Sequence, residues 1–145
     1  MGIIKKKILD YLTGKYIDEG YPTDVQIASG TSATLSASSS LFNILVPAGT
    51  ELIVLEADVF SSSSVSHFQL TYSQTVSGVP LSQTKYYNLY AAGNIMDKGS
   101  MKQPILVMQN LTTGSVSVSL KVITPTSGAA YTANVAYVLR SPFLP

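Results

Sequence analysis

Two carboxylates, one histidine and a cluster of tyrosines are the side chains in the body of this 145-residue sequence whose types and spacing offer chemistry. Glu56 and Asp58 stand two apart. On a strand they would share a face, as paired carboxylates do in a glycosidase or oxygen ligands around calcium. No third acid follows them, and a solvated or lysine-paired edge is the plainer reading. His67 is the single histidine, so a metal site built on it would need Asp or Glu from other strands. A Ser-His-Asp set can be written from His67 and Asp58, but no Gly-x-Ser-x-Gly turn singles out a serine. Tyr86, Tyr87 and Tyr90 could stack on sugar rings; they straddle both faces of a strand, which favours core and interface packing. Asn110-Leu111-Thr112 spells a glycosylation acceptor. The sequence therefore leads us to expect no catalytic, cofactor or metal site, and no enzyme.

The composition points the same way. Hydrophobic residues make up 46% of the chain and charged residues 12%, about half the charge of an ordinary soluble domain. From Ala28 onward the charged residues are Glu51, Glu56, Asp58, Lys85, Asp97, Lys98, Lys102, Lys121 and Arg140, too scattered for an acidic or basic cluster. A net charge of +1 gives no field to steer nucleic acid, and Lys5-Lys6-Lys7 is the only basic run. Cysteine is absent, which excludes disulfides and thiolate sites. No run reaches the roughly 18 apolar residues of a membrane span. Ile8-Leu9 is cut short by Asp10, so a signal peptide is not expected, and Lys6 occupies the position where a myristoylation signal wants Ser or Thr.

Ile4, Ile8, Tyr11 or Leu12, and Tyr16 recur at helical spacing, predicting a short amphipathic helix over Ile3–Tyr16. At about a dozen residues it must dock to persist, on its own domain, a neighbouring subunit or an anionic surface. After Tyr21-Pro22 the pattern becomes strand-like. Runs at Asp24–Ala28, Ala33–Leu35, Leu41–Val46, Glu51–Phe60, Val65–Ser73, Thr84–Ala91, Pro104–Gln109, Ser115–Val122 and Tyr131–Leu139 are separated by Ser, Thr, Gly and Pro. Gly93–Lys102 reads as a loop. Val116, Val118, Leu120 and Val122 alternate with Ser115, Ser117, Ser119 and Lys121, one face core and the other wet. In the long fifties strand, strict alternation puts Ile53, Leu55, Ala57 and Val59 on one face and Leu52, Val54, Glu56, Asp58 and Phe60 on the other. Its first half is apolar on both faces, so it is either central and covered or part of an interface.

The expected fold is all-β: an antiparallel two-sheet β-sandwich, jelly-roll-like, of about eight strands, with a short N-terminal helical arm. The expected division is an arm over 1–22, the sandwich over 23–140 and a Pro-bounded tail over 141–145. An arm, a Ser/Thr-rich sandwich and a tail in this layout resemble the small single-sandwich structural proteins of viruses: capsid, turret, spike-base and decoration or cement proteins. The resemblance implies a subunit that acts through contacts with its own kind, as a trimer or pentamer, and with other capsid proteins, in a virion assembled in the host cytoplasm. On it, Ile4, Ile8, Leu12, Tyr16, Leu52, Val54, Phe143 and Leu144 are the expected subunit-interface residues. An extracellular filament or adhesin subunit, or a carbohydrate-binding module, is the alternative.

Overall fold

The computed structural model describes residues 7–10, 15–18, 24–32, 35, 38–63 and 66–140. Eleven strands run along them: β1 (Lys7–Asp10), β2 (Lys15–Asp18), β3 (Gln26–Ser32), β4 (Ser39–Val46), β5 (Glu51–Ser61), β6 (Ser66–Val76), β7 (Val79–Leu89), β8 (Gly93–Lys98), β9 (Leu106–Gln109), β10 (Val116–Ile123) and β11 (Tyr131–Arg140). Nine of them, β3 to β11, form two antiparallel sheets. One has the order β4-β10-β6-β7; the other has β3-β11-β5-β8, with β9 also paired to β5.

The expected N-terminal helix is not what the described part of the arm forms. β1 and β2 pair as an antiparallel hairpin, with Lys7 in register with Asp18 and Asp10 with Lys15. The physical reason lies in the sequence: each segment reads Lys, two β-favouring residues, Asp, so the register sets opposite charges across from each other.

Alternation drives the sandwich. Ile44 and Val46 from β4, Phe68 and Leu70 from β6, and Val118, Leu120 and Val122 from β10 meet Leu52, Val54, Val59, Met108, Tyr131 and Val135 of the opposite sheet in one buried cluster. Phe68 and Tyr131 touch edge to face across it, centroids 6.0 Å apart. Between β6 and β7 the turn takes only Ser77 and Gly78, both with positive φ (49° and 78°), the geometry that matches strand twist in a two-residue hairpin. β7 accordingly starts at Val79, earlier than the sequence pattern suggests.

β5 departs from strict alternation. Opposite β11 its register shifts between Ala136 and Tyr137, which pair with Glu56 and Val54, so Leu55 is the extra residue of a β-bulge. The bulge re-sorts the strand: Leu52, Val54, Ala57 and Val59 point into the main core, and Ile53 and Leu55 join Val138 in a second cluster on the outer face. Partner strands divide β5 as well. β9 takes Glu51–Val54 and β8 takes Glu56–Ser61. Gly93–Lys98, expected as a loop, is thus an edge strand; only Ile95 among its residues is apolar and packed on the core, too thin a signal for a pattern search. Of the intervening residues 99–105, Met101 covers Ile53 and Leu55 on the outer face and Ile105 packs on the main core. Gly99 donates its N–H to the Leu55 carbonyl at 2.7 Å, and a Cβ there would lie 2.6 Å from the Gln103 carbonyl oxygen.

Candidate functional site

Of the residues expected at a subunit interface, Leu52 and Val54 are 0% exposed. They fill this chain's own core, and the two-sided apolar character of their strand is satisfied within the chain by the core on one side and Met101 and Val25 on the other. Ile8 and Tyr16 lie in the β1-β2 hairpin, of which the backbone is described. Ile4, Leu12, Phe143 and Leu144, like the helix start and the Ser141–Pro145 tail, lie outside the described residues.

The surfaces that remain are the two outer sheet faces, and they differ in chemistry. On the β3-β11-β5-β8 sheet, register aligns Ile27, Ala136, Glu56 and Lys98 in one row, and Ser29, Asn134, Asp58 and Met96 in the next. Ile27 (64%) and Met96 (59%) are well exposed, and a shallow depression between them holds both carboxylates. Lys98 pairs with Glu56 at 3.9 Å. Glu56 and Asp58 therefore do share a face, as their spacing predicts. Among the described residues no three of His, Cys, Asp and Glu gather as a metal-ligand group.

The outer face of β4-β10-β6-β7 is a field of hydroxyls and amides that bond one another. Thr71 and Thr84 hydroxyls lie 2.8 Å apart, Ser119 Oγ donates to Asn43 Oδ1, and His67 Nδ1 sits 2.8 Å from Asn88 Oδ1. His67 also meets the Tyr90 ring edge-on at 6.4 Å. That accounts for the lone histidine as a surface hydrogen-bonding residue.

The tyrosines separate by direction. Tyr86 and Tyr90 are exposed, whereas Tyr87 is in the core and its hydroxyl donates to Asp97 Oδ2 at 2.7 Å. Burial, then the Asp97 hydrogen bond and charge, push the Tyr87 hydroxyl well above the ordinary tyrosine value of 10.0. A raised folded-state pKa leaves stability intact below about pH 10 and erodes it above, where the unfolded chain loses a proton that the folded chain keeps. Tyr87→Phe should cost about 1 kcal/mol at neutral pH and flatten the alkaline loss; urea titrations at pH 7 and pH 10.5 measure both.

Asn110, the glycosylation candidate, is 0% exposed. Its Nδ2 donates to the Val46 and Gly114 carbonyls, both at 2.8 Å, and its Oδ1 accepts from the Thr112 N–H at 2.9 Å and hydroxyl at 2.7 Å. Sequence reasoning sees an acceptor motif; the folded chain uses the same three residues as an Asx turn that ties the β9-β10 loop to the end of β4. Beside it, Gln74 of β6 donates to the Gln109 carbonyl and accepts from the Leu111 N–H. The β6-β7 hairpin is thereby held against that loop.

No protein-family model matches the sequence, and no curated protein matches it. Among solved structures, the chain is similar to the infectious bursal disease virus Gt strain structure, at 15% identity and a TM-score of 0.43, over 96% of this chain and 36% of that one. It is also similar to the T13 particle of the same virus, at 15% identity and a TM-score of 0.46, over 94% and 35%. A third similarity is to the SPBc2 prophage-derived protein YomS, at 12% identity and a TM-score of 0.30, over 80% and 97%. The chain spans about a third of the length of the bursal disease virus chains. Similarities this distant do not decide function, which has to be read from the chain's own surfaces.

Proposed function

We propose that this chain is a non-enzymatic structural subunit of a virus particle that works through contacts with other copies of itself and with other particle proteins. The observation that carries the reading is the strand order. Leaving β9 aside, the sandwich strands lie as β3-β11-β5-β8 and β4-β10-β6-β7, the order of a jelly roll, an architecture that viral capsid domains use. Support comes from the surface as well: Ile27, Leu45, Met96 and Val79 are more than half exposed on a body with few charges. In this reading 1–22 is an arm and 141–145 a tail that tie neighbours together, with Ile4, Ile8, Leu12, Tyr16, Phe143 and Leu144 as contact residues. Capsid, spike-base and decoration roles share this chemistry.

Native mass spectrometry and electron microscopy of the purified chain test it. A defined homo-oligomer, trimeric or pentameric, is expected, along with weakened assembly when residues 1–22 and 141–145 are removed. A chain that stays monomeric at every concentration, or a trimmed chain that assembles normally, overturns the reading.

One observation favours a second function. Tyr86 (60% exposed) and Tyr90 (74%) stand two residues before and after Asn88 in the sequence, a mixture of aromatic and hydrogen-bonding groups that suits a sugar chain. Tyr86→Ala should abolish any glycan-array signal, and Tyr87, being buried, has no part in it.

A further inference from the structure

We infer that the free edge of β7 is a pairing surface for β7 of a second copy, joining two β4-β10-β6-β7 sheets into one eight-stranded sheet about a twofold axis at Thr84. The inference rests on the assembly reading above and adds a twofold contact to it, one that joins a copy in one oligomer to a copy in the next rather than closing the trimer or pentamer itself.

The argument starts from the hairpin. Val76 pairs with Val79 across the two-residue turn, so that pair exchanges hydrogen bonds, and so does every second pair along the ladder. Leu81, Gln83, Lys85, Tyr87 and Leu89 thus spend their backbone groups on β6. Pro80, Ser82, Thr84, Tyr86 and Asn88 turn theirs to the open edge, where none has a backbone partner among the described residues. Pro80 falls at a position where the missing N–H costs no ladder bond.

Monomeric sandwiches protect such edges with charge, proline, bulges or a covering element, and on β7 the one such device facing the edge is Pro80, next to the end of the strand. The outward positions of β7 carry no charge. Its one charged residue, Lys85, faces the other way and reaches Asp97 at 3.9 Å. Two other edges are treated differently: β4 has β3 stacked on it, with Gly30 against the Leu41 carbonyl, and β8 carries Asp97 and Lys98.

A second copy fits because β7 is complementary to itself. Thr84 is the midpoint of Val79–Leu89, so an axis there overlaps the whole strand, about 37 Å at 3.4 Å per residue. In that register Thr84 faces Thr84, a favourable cross-strand pair. Ser82 faces Tyr86, Gln83 faces Lys85, and the Pro80 carbonyl accepts from Asn88. Moving the axis to Lys85 would set two lysines opposite each other; moving it to Tyr86 would shorten the overlap.

The test is amide exchange across a concentration series, with native mass measured alongside. In the dimer the amides of Ser82, Thr84, Tyr86 and Asn88 become protected together, whereas those of Leu81, Gln83, Lys85 and Tyr87 are protected at every concentration. Thr84→Lys and Thr84→Glu, each folded by circular dichroism, should each weaken association at least about tenfold by placing like charges on the axis, and their equimolar mixture should restore it. Unprotected even-numbered amides at the highest concentration, or equally tight association of both variants alone, overturns the inference. Should oligomers form while those amides stay unprotected, the assembly reading survives and the β7 contact fails.

Discussion

Gly30→Ala is expected to cost about 3 kcal/mol of folding stability, the upper end of overpacking penalties. A methyl group at Gly30 would lie 2.3 Å from the Leu41 carbonyl oxygen and 2.8 Å from its carbon. Neither side can yield cheaply. Gly30 is locked by the β3-β11 ladder opposite Ala133, and Leu41 is the extra residue where the β4-β10 register shifts. This is the point at which the two sheets meet along one edge, so relief would require the sandwich to open there. Gly114→Ala is the matched control, because a Cβ at that position meets nothing within 4 Å. Urea denaturation of the two variants should show a large drop in midpoint for the first and little change for the second; equal midpoints would contradict the close approach.

Asn110→Ala should be comparably damaging, again about 3 kcal/mol, because it removes four hydrogen bonds made by one fully buried side chain. The Val46 carbonyl loses this donor and the Thr112 N–H this acceptor, and the Gly114 carbonyl and the Thr112 hydroxyl keep each other. In a domain of this size that corresponds to a fall of about 6–12 °C in thermal midpoint, readable by calorimetry. Asn110→Asp should do no better at neutral pH, since a carboxylate cannot donate to two carbonyls. A sugar on Nδ2 would replace at least one of the same donations at a fully buried atom, so folded chains carrying a glycan at Asn110 are not expected in intact-mass spectra.

Much of the sandwich was legible because burial on one face writes a two-residue period into the sequence. Val116 to Val122 is the plainest case: Val116, Val118, Leu120 and Val122 are core as expected, while on the other face Ser117 is exposed and Ser119 is covered, its hydroxyl bonded to Asn43. Three features were not legible, each for its own reason. The bulge at Leu55 inserts one residue, and a single insertion flips the rest of a strand, so Ala57 and Val59 share a core with Leu52 and Val54 rather than with Ile53. The pairing of β1 and β2 was hidden because strands of four residues are too short to show a period of their own, while Ile4, Ile8, Leu12 and Tyr16 recur at helix-like intervals. β8 was missed because an edge strand buries too little to leave a pattern. The surfaces are harder still: which backbone groups face an open edge depends on the parity of a turn, and Ser77-Gly78 fixes that parity only once the hairpin register is known.

The hydroxyl and amide face of the β4-β10-β6-β7 sheet has a consequence for the medium in which the protein can work. Lys121 is the one Lys, Arg, Asp or Glu among the described residues that point outward there, and its neighbours bond to each other rather than to ions. Salt shortens the screening length from about 30 Å at 0.01 M to about 3 Å at 1 M, but a contact made by neutral donors and acceptors has little Coulomb attraction to lose. Joining along β7 is therefore expected to hold nearly constant from dilute buffer to brine, where an assembly held by ion pairs would come apart.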